Sequence, residues 1–274
     1  MECVINISEG RDAAVLAHLD ATVSTLLLDR HSDADHHRSV FTLAGEPAAV
    51  AQGARRLTAA AVECLSLPDH SGVHPRIGVV DVVPFVPFLP GRPPPSDLVL
   101  ALSLRDDFAQ WCARELQLPA FLYGPDRTLP EIRRGAFAGL TPDFGAAVPH
   151  PTAGAVAVGA RPVLVAYNVW VDDPAVARSV AAAVRGPSVR ALGLAVGDRA
   201  QVSTNLIDPA LVGPADLYDE VSRQVTQAGG RVLGAELVGL VPQSVLHAIP
   251  EARWSELGLA EETTVESRLS MLAG

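Results

Sequence analysis

Apolar positions follow two different periods along the chain, and the elements that they predict occur in a regular order. Residues 2–7 form a strand-like apolar run, and the apolar side chains of residues 11–24 recur at helical spacing. Four more elements follow: strand-like runs at 26–28 and 39–44, a helix opened by Glu46-Pro47, and the strand-like run 77–83. The predicted order over residues 2–86 is therefore βαββαβ.

The second half of the chain repeats this order. An Asp-Pro pair at 173–174 caps and opens a helix, and a glycine pair at 229–230 stops another. The predicted strands of this half are 163–171, 189–196, 201–207 and 232–241. Two consecutive βαββαβ units predict an α+β fold of two tandem ferredoxin-like subdomains, residues 1–160 and 161–274.

Other stretches lie outside the repeat. A helix at 105–117 and a short strand at 120–123 are predicted between the halves. The proline-rich segment 84–95 is predicted to cross the surface, and segment 124–160, rich in Gly, Pro and Ala, is predicted to be a long functional loop or linker. Residues 250–274 are acidic and are predicted to form a terminal helical tail.

Composition narrows the classes of function. All 21 basic residues are arginine, which excludes Schiff-base lysines, a pyridoxal-phosphate lysine and a Walker A motif. The net charge of −10, with no arginine-rich stripe, argues against nucleic-acid binding, and no stretch is apolar enough to span a membrane. Cys3, Cys64 and Cys112 are far apart, and the N-terminus does not resemble a signal peptide, so we expect reduced thiols in a cytoplasmic protein.

Candidate chemistry is concentrated in two turn-rich loops that we expect to face the same space. Loop 70–76 carries His74 and Arg76, and Pro75 biases the preceding histidine toward extended geometry. Loop 31–38 is rich in histidine and aspartate. A histidine that titrates near neutrality both accepts and donates protons, so His74 is a candidate general acid/base. The plainer alternative is a surface histidine without a role.

The charged residues around these loops each have two interpretations. Arg38 and Arg76 suit bidentate binding of a substrate carboxylate, or they form structural ion pairs. Asp35 either orients a histidine or forms a turn. Asp81 interrupts an apolar strand, where it either pairs with Arg76 or His74 or faces solvent.

A metal site is an alternative for the histidine-rich loop. The cluster His31, Asp33, Asp35, His36 and His37 combines imidazoles and carboxylates, which together suit Zn²⁺ and other divalent ions. No ligand motif of fixed spacing is present. We therefore expect no metal, and a metal-dependent enzyme that uses this cluster stays an alternative.

Eight short stretches, in one order along almost the whole chain, carry a resemblance to a known family. They are residues 2–11, 37–40, 74–82, 123–124, 142–145, 159–161 with 165–168, 201–206 and 236–242. Together they resemble the formiminotransferase domain of glutamate formimidoyltransferases. The fold of that family, two ferredoxin-like subdomains, agrees with the order of elements predicted above.

The resemblance implies a transferase of histidine breakdown that moves the formimino group of N-formimino-L-glutamate to N5 of tetrahydrofolate, its co-substrate. The family's catalytic histidine falls on His74, and Arg76 and His31 are further candidate catalytic residues. Candidate residues for substrate and folate binding are Asp35, His37, Arg38, Gly145, Ala146, Ala147, Val148, Pro149, His150, Pro151, Thr152, Ala153 and Gly154. The expected partners are these small molecules, without nucleic acid or membrane, and the sequence leaves a homodimer open. A folate-binding, non-catalytic paralogue is the alternative.

Three positions depart from the family's usual pattern. Val73 replaces a glutamate, His31 replaces an aspartate and His37 replaces an asparagine. A neighbouring carboxylate stabilises the cationic form of a histidine. We therefore expect the missing carboxylates to lower the pKa of His74, with titration still near neutrality.

Overall fold

The protein divides into two compact units. The computed structural model describes residues 1–91 and 97–273. The first unit comprises Met1–Leu89 and a later stretch that ends at Pro162, and the second comprises the chain from Val163 onward with a short stretch that begins at Pro90. Each unit contains one β-sheet and its own helices, which confirms the predicted α+β class with two tandem subdomains.

The first unit extends a ferredoxin-like arrangement by two strands. Its elements are β1 (Glu2–Ile7), α1 (Ala13–Val23), β2 (Leu27–Asp33), β3 (Arg38–Ala44), α2 (Pro47–Cys64), β4 (Val80–Val86), α3 (Val99–Glu115), β5 (Ala120–Tyr123), α4 (Leu129–Gly135) and β6 (Val156–Ala160). The sheet order is β2-β3-β1-β4-β6-β5. The first four of these strands pair antiparallel, and β6 runs parallel to both β4 and β5.

The second unit has the ferredoxin-like arrangement without additional strands. Its elements are β7 (Val165–Val171), α5 (Pro174–Ala183), β8 (Val189–Val196), β9 (Arg199–Leu206), α6 (Pro214–Gln227), β10 (Val232–Val238), α7 (Gln243–Leu246), two 3₁₀ turns (Glu251–Arg253 and Glu261–Thr263) and α8 (Val265–Ala273). The antiparallel sheet has the order β10-β7-β9-β8. In the described part of the chain, no helix is long and apolar enough to cross a membrane.

The two faces of the first sheet pack against different helices. On one face, Ile5, Phe41 and Phe85 are fully buried in the main core together with residues of α1, α2 and α3. On the other face, Val82 and Phe121 form a smaller core with Ile132 of α4. Alternation along each strand assigns neighbouring residues to opposite faces. The helix α4 therefore brings its side chains to the face that α1 and α2 leave open.

The loops of interest meet at one edge of the first sheet. Ile7, at the end of β1, pairs with Ser39 at the start of β3 and with Val80 at the start of β4. Because β5 and β6 run parallel to β4, they begin at the same edge. The segments that precede β3, β4, β5 and β6 consequently lie side by side there, although they are distant in sequence.

The predicted end of β2 at Leu28 is wrong. The strand continues to Asp33, and His31 lies opposite Val40 of β3 within the sheet rather than in a loop. The polar sequence of this stretch does not alternate as a half-buried strand does, so the extension of β2 comes from pairing with β3.

The prediction that the proline-rich segment 84–95 crosses the surface is also wrong for the first residues of the segment. Pro84 lies within β4, opposite Gly159 of β6, and all seven residues of Val80–Val86 are buried. Burial of this apolar run outweighs the usual exclusion of proline from a sheet interior. Residues 92–96 of the predicted crossing lie outside the described residues.

Segment 124–160 is not a structureless loop, since it contains α4 and β6. At the start of helix α4, the carboxylate of Glu131 accepts from the backbone N–H of Thr128 at 2.6 Å and from its hydroxyl at 2.7 Å. All five residues of Val156–Ala160 are buried, so the strand lacks the alternation that exposes one face. The acidic tail is helical only in part, since it combines two 3₁₀ turns with α8.

Gly78 is predicted to tolerate no side chain. A Cβ at this position would lie 2.0 Å from Ala155 O and 2.8 Å from Ala153 O, both backbone atoms. We expect Gly78→Ala to lower the free energy of unfolding by about 1–3 kcal/mol, the usual cost of overpacking, in a urea titration. Gly186→Ala is the control, because a Cβ at Gly186 meets no atom within 4 Å. Equal stability of the two variants would show that the turn at 153–155 adjusts freely.

Candidate active site

His74 is half-buried in the segment that leads from α2 into β4. Its Nδ1 lies 2.8 Å from the carbonyl oxygen of Pro75, which can only accept, so Nδ1 carries the proton. Among the described residues, none makes a hydrogen bond to Nε2 of this ring. The second nitrogen is therefore the one available for proton transfer to and from a ligand.

The surroundings of His74 are unfavourable for a positive charge. Burial lowers the pKa of His74 to about 2, and the charges of Arg38 and Arg133 and the nearby His36 act in the same direction. The His36 ring lies edge-on with its centroid 6.1 Å from that of His74. The expected lowering of the pKa is present, but the expectation that His74 still titrates near neutrality is wrong. Burial and two guanidinium groups, which the sequence pattern does not reveal, are the physical reason.

Arg38 is the cation of this site whose guanidinium remains available. It lies at the start of β3, opposite Asp33 of β2, and is half-buried. Burial lowers the pKa of Arg38 to about 10, so it is still protonated at neutral pH. Within residues 1–91 and 97–273, its side chain makes no hydrogen bond or ion pair. Arginine binds carboxylates bidentately, so an anionic ligand is suited to this position.

Arg76, in contrast, is bonded to three backbone carbonyls and to the ring of His70. Its guanidinium donates to His36 O at 3.0 Å, to His37 O at 3.3 Å and to His74 O at 2.7 Å. It also donates to Nδ1 of His70 at 2.7 Å. These bonds join the turn between β2 and β3 to the His74 segment, so Arg76 is placed to fix the loops rather than to receive a carboxylate.

A buried ion pair that the sequence analysis did not identify lies next to His74. Asp81 in β4 is 1% exposed, and both of its oxygens accept from the guanidinium of Arg133 in α4. Arg133 also donates to Pro75 O at 2.6 Å. The sequence signal for this ion pair was Asp81 itself, because a carboxylate buried in an apolar strand requires a compensating partner. The Thr128–Glu131 capping box, which predicts a helix in that region, was the signal for the partner's element.

The ring of His37 is held by contacts with three neighbouring residues. Its backbone φ is +48°, and its ring stacks on His70 with centroids 4.1 Å apart. Nδ1 lies 2.9 Å from Ser71 O, and Nε2 lies 3.2 Å from the Glu9 carboxylate. Glu9 also accepts from three backbone N–H groups of residues 10–12. His37 thus connects β1, the β2–β3 turn and the segment before His74.

Two further candidate residues, His31 and Asp35, make no described contact with the His74 side chain. His31 lies within β2 and is half-buried. Asp35 is exposed in the turn between β2 and β3, and its carboxylate bonds to no histidine in the part of the chain described here. The Asp35 carbonyl accepts from Val73 N at 3.4 Å, which is a backbone link between the same two loops.

The strip 145–154 is divided between two environments. Residues 145–149 are exposed, whereas His150 and Gly154 close a turn through two backbone hydrogen bonds of 2.7 and 3.0 Å. This turn is bonded to the segment after His74, since Ala155 N donates to Ile77 O at 2.9 Å. Nδ1 of His150 accepts from Ala153 N at 3.0 Å. Only the second half of the strip is therefore tied directly to the His74 segment.

The described residues contain no group of three or more His, Cys, Asp or Glu side chains placed to hold a metal ion. Of the cluster from His31 to His37, His31 and Asp33 lie in β2, where their spacing of two places them on one face, and Asp35, His36 and His37 lie in the turn that follows.

Comparison with known proteins gives a consistent result along the chain. Residues 1–161 match the formiminotransferase domain, N-terminal subdomain, and residues 166–255 match the formiminotransferase domain. The chain is 35% identical over 281 residues to glutamate formimidoyltransferase of Streptococcus pyogenes, covering 92% of each chain. It is 30% identical to glutamate formimidoyltransferase of Thermoplasma acidophilum, covering 100% of this chain and 98% of the relative. It is 32% identical to formimidoyltransferase-cyclodeaminase of Rattus norvegicus, but spans only 51% of that protein.

The free protein is predicted to keep His74 neutral between about pH 5 and 8, a range in which an ordinary histidine gains its charge. The reason is the lowered pKa, to about 2, caused first by burial. We expect ¹⁵N NMR to show a protonated Nδ1 and an unprotonated Nε2 throughout this range, with the resonance assigned by its loss in His74→Gln. A titration midpoint between about pH 6 and 7 for His74 would contradict this description of the site.

Proposed function

Because the chain belongs to the formiminotransferase domain family, we propose that it transfers the formimino group of N-formimino-L-glutamate to N5 of tetrahydrofolate. The products are 5-formiminotetrahydrofolate and glutamate. Tetrahydrofolate acts as a co-substrate, and no metal takes part. The chain is accordingly a transferase of one-carbon groups with small-molecule substrates.

The observation that carries this proposal is the juxtaposition of a base and an available cation. His74 has its Nδ1 proton fixed on Pro75 O, which directs Nε2 to the ligand. Arg38 is charged and offers an unused guanidinium, and its charge is close enough to lower the pKa of His74. The donor substrate carries carboxylates, and its reacting amidine must lie within reach of a proton carrier.

In the proposed reaction, N5 of tetrahydrofolate attacks the amidine carbon of the formimino group and forms a tetrahedral intermediate. Nε2 of His74 accepts the proton that N5 loses. The protonated ring then donates this proton to the departing nitrogen of glutamate as the carbon–nitrogen bond breaks. One proton is moved from one nitrogen to the other, so the imidazole returns to its starting state.

Binding of the donor substrate adjusts His74 to this task. Burial is the largest cause of the low pKa of His74, and the charge of Arg38 is the next; a substrate carboxylate on Arg38 cancels part of this second contribution. Losing a nearby positive charge favours the imidazolium, so the pKa rises toward the working pH. The base is thus weak in the free protein and stronger in the complex, where it is required.

The remaining predicted site residues have supporting roles in this proposal. Arg76 and His37 hold the two loops together through the bonds described above. The strip 145–154 contributes to folate binding, with exposed residues 145–149 as its accessible part. We assign residues 1–160 and 161–274 to the two subdomains. A cytoplasmic location is supported by the free thiols of the three cysteines.

His74→Gln tests the proton carrier. Glutamine retains a hydrogen-bonding side chain but cannot act as an acid/base near neutrality. We expect kcat to fall by about 10²-fold or more, with the fold intact by circular dichroism. His247→Gln is the control, because His247 lies in the second unit on Glu261. Native turnover in His74→Gln would remove His74 from the mechanism, and tetrahydrofolate binding without any turnover by the native chain would identify a non-catalytic paralogue.

Arg38→Met tests the carboxylate site. Hydrogen bonds to charged groups contribute about 1.5–3 kcal/mol, so we expect KM for N-formimino-L-glutamate to rise about 10- to 100-fold. The free-protein pKa of His74 should also rise, because one of the charges that lower it is removed. The control is Arg134→Met, which changes an exposed arginine of α4. An unchanged KM would place the substrate carboxylate elsewhere.

A further inference from the structure

Asp81 and Arg133 form a hydrogen-bonded ion pair that also contacts the segment carrying His74. Oδ1 of Asp81 accepts from Ile77 N at 2.8 Å and from Nη1 of Arg133 at 3.3 Å, and Oδ2 accepts from Nη2 of Arg133. Asp81 is buried, so its charge is compensated by this partner rather than by water. The pair therefore has a fixed geometry.

The same guanidinium reaches the residue that orients His74. Nη1 of Arg133 donates to Pro75 O at 2.6 Å, and this oxygen also accepts from Nδ1 of His74 at 2.8 Å. A carbonyl oxygen has two lone pairs, so it accommodates both donors. Arg133 and His74 are consequently joined through one atom.

The backbone of Pro75 makes this link effective. The proline ring fixes φ, so the direction of the Pro75 carbonyl depends on the single dihedral ψ. Arg133 holds that carbonyl from one side and is itself held by Asp81. Without the guanidinium, rotation about ψ would move the acceptor away from Nδ1 of His74.

We propose that Arg133, held by Asp81, is a positioning residue that fixes the Pro75 carbonyl and thereby keeps His74 in the Nδ1–H tautomer with Nε2 directed to the substrates. This inference rests on the proposed role of His74 in formimino transfer. It assigns Arg133 no contact with a reacting atom, and it assigns the buried carboxylate in β4 a function beyond stability.

Substitutions at position 133 separate the effect of the Arg133 charge from the effect of the hydrogen bonds that its guanidinium makes. Among the described residues, the charged and titratable groups with the largest effect on the pKa of His74 are Arg38 from β3, Arg133 from α4 and His36 from the β2–β3 turn. Arg76 binds the His74 carbonyl. Lysine at position 133 retains the positive charge but lacks the planar fork that reaches Asp81 and Pro75 O together. Methionine removes both the charge and the fork.

The test compares Arg133→Lys and Arg133→Met with the native protein, and uses the exposed Arg134→Met as the matched control. A misplaced catalytic group costs up to about 10²-fold, so we expect kcat to fall about 10- to 100-fold in both Arg133 variants, with KM nearly unchanged. In ¹⁵N NMR, both variants should show a mixture of His74 tautomers. Only Arg133→Met should raise the pKa of His74, because only it removes a charge. Arg134→Met should match the native protein in every measurement.

Separate controls distinguish a loss of folding from a loss of function. Arg133→Met leaves Asp81 as an unpaired buried carboxylate, so the double variant Asp81→Asn/Arg133→Met, which removes both charges, replaces it if circular dichroism shows unfolding. If His74→Gln retains turnover, the proposed function fails. If His74→Gln is inactive while the Arg133 variants keep native kcat and a single Nδ1–H tautomer, the positioning role alone is overturned.

Discussion

The buried ion pair between Asp81 and Arg133 is the interaction on which the candidate active site depends. It joins the central strand β4 to α4 and, through Ile77 N and Pro75 O, fixes the segment that carries His74. Removing one partner of a buried pair costs about 3–5 kcal/mol, because the other charge is left without compensation. The same ion pair, between Nη1 and Nη2 of Arg133 and Oδ1 and Oδ2 of Asp81, thus affects both the stability of the first unit and the geometry of the site.

The rest of the site is held mainly by backbone groups. Arg76 bonds to three carbonyls, Glu9 accepts from three N–H groups, and Gly78 allows segment 77–79 to lie directly against Ala155. Arg76 and Glu9 each bind three backbone groups with one side chain, so they keep loops from distant parts of the chain in a defined arrangement. Among the described residues of the site, His74 and Arg38 are the side chains to which the proposed reaction assigns proton transfer and carboxylate binding.

Sequence patterns predict the locally determined parts of this structure. The cap at Asp173, which accepts from Ala175 N and Val176 N, and the alternating antiparallel strands are local properties, so both βαββαβ units were predictable. Strand β6 was not, because it has no alternation and three of its five residues are Ala or Gly, which are depleted in strands, whereas the equally buried β4 is rich in valine. Arg133 lies 52 residues from Asp81, and only tertiary structure brings them together. The predicted position of His74 needs no tertiary information, but its pKa does.

The unused guanidinium of Arg38 beside a nearly uncharged imidazole has a consequence for selectivity. In the proposed reaction, a ligand without a carboxylate leaves the positive charge of Arg38 in place, so the pKa of His74 stays low. Discrimination between donors should therefore be expressed in the rate of the chemical step as well as in affinity. Under the proposed function, a site of this kind selects an anionic donor at the proton-transfer step, and a donor without a carboxylate transfers its group to tetrahydrofolate slowly.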